Sequence, residues 1–364
     1  MSEAATALAE CIKAMISGLG TVIEGLKAII GQVGPAWTNI KAMISIVLTK
    51  LLAICMTIVY AINGYTGPAT DDLIKAKDEE NVRMTFAAWA DPQVSNYIFE
   101  REPYFRAAGD DLKNAEGKVD ALLIAGDIAE NGLQCEYDLI YDDIFDSGVD
   151  NYIMATGNHD VRLRKYSETV ERFTGFMNRL NENAGNTVSV DALHYTYDVN
   201  GYTFIVMGTD RTEFEEAYFN DEQLNWLDQT LSEVTATGKP AFVVIHQTLK
   251  NMHGLPDTWN SPFDWAGSVG VNSDQLYEIM NRYDNVIMIS GHLHTGFGQY
   301  TYEMAGKVHS VNLPSIAIDN MDGACNDNGI GYMVEVYDHE VLFRARNFSQ
   351  GKYLPDYDIA IELV

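Results

Sequence analysis

The chain has 364 residues, of which 47% are hydrophobic and 21% are charged, a composition that suits a large folded core and excludes wholesale disorder. Acidic residues number 52 against 24 basic ones, and the formal net charge is -28. Because this charge repels nucleic-acid backbones and anionic lipid headgroups, we expect no nucleic-acid polymer among the partners of the protein.

Residues 1–64 are apolar and differ sharply in composition from the rest of the chain. Apolar side chains at three- and four-residue steps predict an amphipathic helix that ends near Gly31, and residues 43–62 form an apolar stretch long enough to cross a bilayer. Lys50 near its centre is costly inside a membrane, which leaves three interpretations open: a membrane anchor, a helical hairpin that packs on protein, and a signal peptide that starts at Met43. An anchor with lysines before it and acidic residues after it puts the large domain outside the cytosol, and the alternative is a cytoplasmic protein.

Residues 65–82 are polar and rich in glycine, proline and charge, which is typical of a linker.

Residues 83–364 follow as one large predicted domain. Its predicted elements are, in chain order, a strand at Met84–Ala90, a helix at Tyr97–Ala108, a strand at Ala121–Ala125, a helix at Tyr137–Phe145, a strand at Tyr152–Thr156, a helix at Arg164–Asn181, a hairpin of Leu193–Asp198 and Thr203–Gly208, a helix at Asp221–Ala236, a strand at Ala241–Ile245, a helix at Ser273–Asn281, and strands at Val286–Ile289, Gly298–Glu303, Lys307–Leu313, Gly331–Tyr337 and Val341–Asn347. Alternating strands and helices with a β-rich tail predict an α/β fold with mixed sheets.

Residues whose side chains commonly ligate metals follow the ends of five of these predicted strands. They are Asp91, Asp127, Asn158, His159, His246, His292 and His294. Because the carboxyl ends of strands in an open α/β sheet form its binding edge, we expect these side chains to converge there. His292 and His294 point to the same side of an extended chain and bind either one metal or two neighbouring metals. The oxygen and nitrogen donors together favour a pair of divalent metals.

The order D-x-Q, G-D, G-N-H-D, strand-H and G-H-x-H resembles the calcineurin-like metallophosphoesterases. The resemblance covers roughly residues 83–347 and is most specific in G-N-H-D and G-H-L-H-T-G. It implies a four-layer β-sandwich of two mixed sheets flanked by helices, here preceded by N-terminal apolar helices. It also implies a hydrolase of phosphoric esters that holds two metals.

The resemblance further implies a role for each candidate. Asp127 bridges both metals, and the remaining ligands form one set for each metal: Asp91, Gln93 and His294 for the first, and Asn158, His246 and His292 for the second. A metal-bound hydroxide then attacks phosphorus in line, and His159 protonates the leaving oxygen or stabilises its charge. Asp160 orients and charges the His159 imidazole.

The first motif departs from the family pattern, because Gln93 stands where a histidine is usual. A neutral carbonyl oxygen binds zinc less well than an imidazole nitrogen does and favours harder ions. We therefore expect Mn²⁺ as the most suitable metal, with iron, Mg²⁺ and Zn²⁺ as alternatives, and we expect the metal held by Gln93 and His294 to be the more loosely bound.

The substrate is less well defined by the sequence, and a small phosphorylated molecule is the expectation. Arg162 and Arg211 are candidate phosphate ligands, with Arg164 as a further one. The loop of residues 247–272 lies between two ligand-bearing strands and carries aromatic side chains that we expect to overhang the metals. A protein Ser/Thr phosphatase and a metal-binding scaffold for a partner protein are the alternatives to this enzyme.

The other cysteines and histidines carry no such pattern. The four cysteines contain no C-x-x-C pair, and whether Cys135 and Cys325 pair stays open. The histidines outside the motifs default to structural or surface roles: His194, His253, His309 and His339.

Overall fold

A computed structural model of the chain describes residues 72–145, 147–259, 263 and 265–364. The chain divides into two units, Met1–Thr66 and Gly67–Val364, and the described residues belong to the second. The predicted apolar helices of residues 1–64 lie outside the described part of the chain. Among the residues that are described, no helix combines the length and the apolar character that crossing a bilayer requires.

The first sheet contains seven strands of the described chain. In spatial order they are β12 (Lys352–Tyr353), β11 (Glu340–Asn347), β10 (Ile330–Val336), β1 (Met84–Trp89), β2 (Ala121–Ala125) and β3 (Asn151–Ala155), with β13 (Ile359–Glu362) also paired to β11. Strands β1, β2 and β3 are parallel, whereas β10 and β11 are antiparallel to their neighbours. The sheet is therefore mixed.

The second sheet contains six strands within the described residues. In spatial order they are β4 (Tyr195–Val199), β5 (Tyr202–Val206), β6 (Ala241–Val244), β7 (Val286–Ser290), β9 (Val308–Asn312) and β8 (Tyr302–Ala305). The four inner strands run parallel, and β4 and β8 pair antiparallel at the two edges. This sheet is mixed as well.

Six α-helices occur in the described residues: α1 (Glu102–Lys113), α2 (Gln134–Ile144), α3 (Asn158–Val161), α4 (Tyr166–Asn183), α5 (Asp221–Thr235) and α6 (Ser273–Met280). The sheets pack face to face, since Phe86 of β1 contacts Phe204 of β5 and Phe242 of β6 at ring-centroid distances of 5.1 and 5.5 Å. Residues of β5 and β6 that alternate with these two, such as Ile205 and Val243, pack in a separate cluster with α5 and α6. The predicted α/β class with two mixed sheets and helices is thus confirmed.

Several element boundaries differ from the sequence expectation by a few residues, and two of the differences have a clear local reason. The predicted bounds of the strand Gly298–Glu303 are wrong, and the strand spans Tyr302–Ala305. It begins later because Thr301 N donates to the Gly298 oxygen at 3.2 Å and closes a turn before it. The first helix starts at Glu102 rather than Tyr97, with Pro103 in its first turn, where a missing N–H costs nothing. Neither change moves a ligand-bearing strand end.

Candidate metal centre

The predicted ligands converge at one edge of the sandwich. Each of the strands β1, β2, β3, β6 and β7 ends just before one or two of them. Six of the seven ligands are buried, with relative exposures of 4% or less: Asp91, Gln93, Asp127, Asn158, His246 and His292. The seventh, His294, keeps 21% of its side chain exposed. The structure therefore brings all seven predicted metal ligands to the same edge.

Asp127 lies at the centre of this cluster. Its Oδ2 atom is 3.3 Å from His246 Nε2, and Asp127, His246 and His292 each offer a donor atom within 4.8 Å of the others. On the other side, Asp91 Oδ1 lies 3.2 Å from His294 Nε2 and 3.8 Å from His246 Nε2. The two predicted ligand sets thus adjoin through Asp127 and Asp91, as a pair of neighbouring ions requires.

His292 gives the most direct sign of a metal site. Its Nε2 atom is buried and has no hydrogen-bond partner among the residues that the structure describes. Burial lowers the pKa of this imidazole, and the neighbouring His246 lowers it further, which leaves a neutral ring with a free lone pair. An orphaned buried nitrogen is unfavourable unless something binds it, and neutral imidazole is the form that ligates metals. The donor set and this nitrogen fit a divalent ion.

His246 is oriented for ligation by the backbone. Its Nδ1 atom lies 2.7 Å from the Ala125 carbonyl oxygen, which accepts the ring proton and turns Nε2 toward the cluster. Burial lowers the pKa of His246, but the carboxylates of Asp127 and Asp91 outweigh it and raise the pKa to about 9. The pKa of Asp127 is lowered, since the three surrounding imidazoles outweigh its burial. Binding of a cation must displace the His246 proton, so metal uptake releases protons.

Gln93 reaches the cluster with its nitrogen rather than its oxygen. The Nε2 atom donates to Asp127 Oδ2 at 2.7 Å and lies 3.4 Å from His294 Nε2, while Oε1 lies 3.5 Å from the guanidinium of Arg101. The carboxamide must rotate about its last torsion before it can serve as the predicted oxygen ligand. The need for this rotation distinguishes Gln93 from a histidine at the same position, because an imidazole ring offers a nitrogen ligand in either orientation.

The backbone of the cluster is strained. Five of the seven ligands have positive φ: Asp91 (52°), Gln93 (38°), Asp127 (49°), His292 (73°) and His294 (49°). Each such residue costs roughly 1–3 kcal/mol, and residues of this kind gather where function requires a fixed geometry. The sequence carried no signal of this strain, because none of the five is glycine.

Two glycines of the motifs leave room for the carboxylates. A Cβ atom on Gly157 would lie 2.1 Å from Asp127 Oδ1, and one on Gly291 would lie 2.5 Å from Asp91 Oδ2. Both distances are far below van der Waals contact. The G-N-H-D and G-H-L-H motifs therefore begin with glycine because the ligand carboxylates occupy the space of a side chain.

His159 lies at the open side of the cluster, with 15% of its side chain exposed and Nε2 3.9 Å from Asp127 Oδ2. Its Nδ1 atom lies 2.9 Å from the Glu130 carbonyl oxygen, which can only accept a hydrogen bond, and 2.9 Å from Arg162 Nη2, which can only donate one. A ring nitrogen can serve only one of these at a time. The partner that Nδ1 takes therefore determines whether this nitrogen donates or accepts a hydrogen bond.

The prediction that Asp160 contacts and orients the His159 ring is wrong. The Asp160 carboxylate accepts hydrogen bonds from four other groups: the backbone N–H of Gly157, Ile128 and Ala129, and the Tyr137 hydroxyl. Burial and the charge of Asp127 raise the pKa of Asp160 to about 6. Asp160 thus fixes the loop backbones around Asp127, and Glu130 takes its place beside the imidazole.

The arginine candidates differ in position. Arg162 lies between His159 and Glu215, and its Nη1 atom is 3.3 Å from Glu215 Oε1. Arg211 instead pairs with Glu213 and covers the Tyr218 ring at 3.8 Å. Arg164 donates to the Asn131 carbonyl oxygen at 2.7 Å and has a structural role. The structure therefore brings Arg162 to the site and does not bring Arg211 there.

The loop of residues 247–272 contacts a ligand directly. Trp259 stacks on the His292 ring with centroids 4.8 Å apart, while Phe263 and Trp265 stack on each other and are exposed. His253 anchors the loop from a fully buried position, with Nδ1 2.7 Å from the Tyr300 oxygen and Nε2 2.8 Å from Ser310 Oγ.

Some contacts of the site had no sequence signal. Arg101 donates to the Gln93 carbonyl oxygen at 3.0 Å and pairs with Glu130, and Glu215 reaches Asn158 from a distant loop. Away from the site, Cys135 and Cys325 are both free thiols.

Comparisons with known proteins cover the same region of the chain. The family model for calcineurin-like phosphoesterases matches residues 84–296, which contain every predicted ligand. No curated protein sequence matches the chain. A dimetal phosphatase from Danio rerio is similar in structure, with a TM-score of 0.57, 13% identity, and coverage of 78% of this chain and 100% of that one. A purple acid phosphatase from yellow lupin (Lupinus luteus) seeds has a TM-score of 0.51, 14% identity, and coverage of 77% and 53% respectively.

At these identities the two structures establish a shared fold only, whereas the family model spans more than half of the chain. The matched region begins at the first strand of the sandwich and ends just after His294. It therefore includes all five strand ends that carry the cluster. The chain belongs to the calcineurin-like phosphoesterase family and is a metallophosphoesterase, a hydrolase that acts on phosphoester bonds.

Proposed function

We propose that the protein hydrolyses small phosphoric esters, either diesters or monoesters, with two divalent ions held by the seven ligands. This proposal is carried by the buried Nε2 atom of His292, which has no hydrogen-bond partner in the described part of the chain and lies in a cluster with Asp127 and His246. Bound ions supply positive charge for the phosphoryl oxygens and activate water at neutral pH. Asp127 would contribute a carboxylate ligand to these ions.

In this proposal the groups around the cluster bind the ester and handle its leaving group. His159 presents an imidazole at the open side and donates a proton to the leaving oxygen. Arg162, which lies beside it, binds a phosphoryl oxygen. Trp259 covers His292 and keeps water away from that side of the ligand.

For the metal we propose Mn²⁺, since an oxygen from Gln93 is a hard ligand and softer ions gain less from it. Iron, Mg²⁺ and Zn²⁺ are the alternatives. Titration of metal-free protein with each ion, read as ions bound per chain, tests this choice. Tighter binding of Zn²⁺ than of Mn²⁺ at both positions would argue against it.

The reaction is tested by turnover of p-nitrophenyl phosphate and bis-p-nitrophenyl phosphate with added Mn²⁺. We expect hydrolysis of at least one ester, and the monoester-to-diester ratio names the reaction class. Asp127→Asn should abolish it, whereas His339→Gln, which changes an exposed histidine, should not. A protein that binds Mn²⁺ but turns over neither ester would instead be the scaffold for a partner, and preference for a phosphopeptide would favour a Ser/Thr phosphatase.

We further propose that residues 1–64 attach the protein to a membrane with the enzyme domain outside the cytosol. Support comes from the apolar stretch 43–62 and from the charges that flank it. Membranes of expressing cells should retain the full chain through a carbonate wash, and external protease should cleave the domain on intact cells. Complete release by carbonate contradicts the anchor, and protection from protease contradicts the orientation.

A further inference from the structure

Glu215 connects the metal centre to Arg162. It lies in the loop between β5 and α5, with its side chain one-third exposed. Its Oε2 atom accepts a hydrogen bond from Asn158 Nδ2 at 3.0 Å, and its Oε1 atom faces Arg162 Nη1 at 3.3 Å. Its backbone oxygen accepts from the side chain of Gln247, the residue after ligand His246, at 2.8 Å. One residue thus contacts the ends of two ligand-bearing strands.

The contact with Asn158 decides which atom of its carboxamide faces the cluster. An ionised carboxylate can only accept hydrogen bonds, so Asn158 must turn its NH₂ group to Glu215. The Oδ1 atom then points the other way and lies 3.2 Å from His246 Nε2. A metal ion would bind Asn158 through Oδ1, because the NH₂ group of a carboxamide has about the same size but does not ligate metals. Removing the carboxylate therefore removes the group that selects the ligating orientation.

The contact with Arg162 serves a second purpose. The guanidinium lies between Glu215 Oε1 and His159 Nδ1, at 3.3 and 2.9 Å. A free arginine side chain samples many rotamers and must give up this freedom to bind a phosphate. The ion pair holds the side chain next to the imidazole before any ester arrives.

We propose that Glu215 is a positioning residue with two tasks: it fixes the Asn158 oxygen toward the second metal, and it holds Arg162 beside His159. The proposal rests on the proposed function for its kinetic consequences only. Its consequences for metal binding follow from the Asn158 contact alone, and they stay measurable whatever the substrate is.

The first test is Mn²⁺ binding to metal-free full-length protein by titration calorimetry. Glu215→Ala should lower the affinity for one of the two ions by roughly 10- to 100-fold, because loss of a hydrogen-bond partner of a metal ligand usually has an effect of this size. Glu215→Gln should restore binding to within a few-fold of the wild type, because the oxygen of Gln still accepts from Asn158. Glu213→Ala removes the same charge from the same loop at a residue paired with Arg211 and should bind as the wild type does.

The second test is kinetic and separates the two tasks. Glu215→Gln keeps the metals but loses the ion pair with Arg162, so KM for bis-p-nitrophenyl phosphate should rise roughly tenfold, as expected for one charged hydrogen bond. Arg162→Ala should raise KM to the same extent, and the double variant should raise it no further.

Three results would overturn the proposal: wild-type Mn²⁺ affinity in Glu215→Ala, an equal loss in Glu213→Ala, or additive effects in the double variant. If the wild type hydrolyses neither nitrophenyl ester, the proposed function fails. The calorimetric comparison still decides on its own whether Glu215 positions Asn158.

Discussion

Substitution of Gly291 by alanine tests the close packing on which the cluster depends. The added Cβ atom would lie 2.5 Å from Asp91 Oδ2 and 2.6 Å from the Ala90 Cβ atom. Ordinary contact begins at about 3.4 Å, so the carboxylate oxygen must retreat by about 0.9 Å. The same oxygen accepts the backbone N–H of ligand His292 at 2.9 Å, so both ligands move together.

A displacement of this size exceeds the roughly 0.2 Å tolerance of metal–ligand distances several-fold. Misplacement by about 1 Å near a reacting centre lowers rates by roughly 100-fold. We therefore expect Gly291→Ala to lower kcat/KM for bis-p-nitrophenyl phosphate by about that factor, with weaker Mn²⁺ binding. The assay is turnover and calorimetric Mn²⁺ titration of the same preparation.

Gly175→Ala is the matched control, because Gly175 sits within α4 and, apart from its chain neighbours and the helix backbone itself, no atom of the described residues lies within 4 Å of the added Cβ atom. It should leave turnover unchanged and raise the free energy of unfolding by roughly 0.5–1 kcal/mol, as alanine does in a helix. Wild-type turnover and metal content in folded Gly291→Ala would refute the reasoning about the glycine.

Three further predictions concern single side chains. His159→Ala should keep its metal content and lower kcat by roughly 10²- to 10⁴-fold, as loss of a general acid does; metal loss measured by elemental analysis would contradict the assigned role. Gln93→His should increase the affinity for Zn²⁺ relative to Mn²⁺ in competition titrations, and an unchanged ratio would show that Gln93 does not determine metal choice. Burial lowers the pKa of His253 from 6.5 to about 4, so the unfolded chain takes up its proton first and the free energy of unfolding falls as pH drops from 6.5 to 4, by about 3 kcal/mol. His253→Gln should remove that part of the pH dependence in urea titrations, whereas exposed His339→Gln should retain it, and equal slopes in all three proteins would contradict the argument.

The strand ends that carry the ligands could be predicted from the sequence. Each is marked by a short apolar run followed directly by Asp, Asn or His, and this pattern depends only on residues that are neighbours in the chain. Met84–Trp89, Ala121–Ala125 and Val286–Ser290 appeared where the apolar runs predicted them. Convergence then followed from the rule that parallel strands present their carboxyl ends at one edge.

Other features depend on contacts between residues far apart in the chain. Glu215 lies 57 residues from Asn158, and no local pattern pairs them. The orientation of Gln93 depends on which neighbour needs a donor, here Asp127. The resemblance assigns Asp160 to the imidazole, but three backbone N–H groups and a buried tyrosine hydroxyl donate to its carboxylate instead.

Strain at the ligands could not be foreseen either. Positive φ is typical of glycine, whereas Asp91, Asp127 and His292 adopt it because the surrounding sheet edges hold them there. Sequence patterns report the preferences of a residue, and a functional site uses conformations that run against those preferences.

We propose that the Asp127 cluster needs two bound ions to hydrolyse a phosphoric ester. The most direct measurement titrates Mn²⁺ into metal-free protein while hydrolysis of bis-p-nitrophenyl phosphate and p-nitrophenyl phosphate is followed. Turnover of at least one ester should rise to a plateau at two ions per chain and be absent in Asp127→Asn. A plateau at one ion, or turnover that persists in Asp127→Asn, would contradict the account.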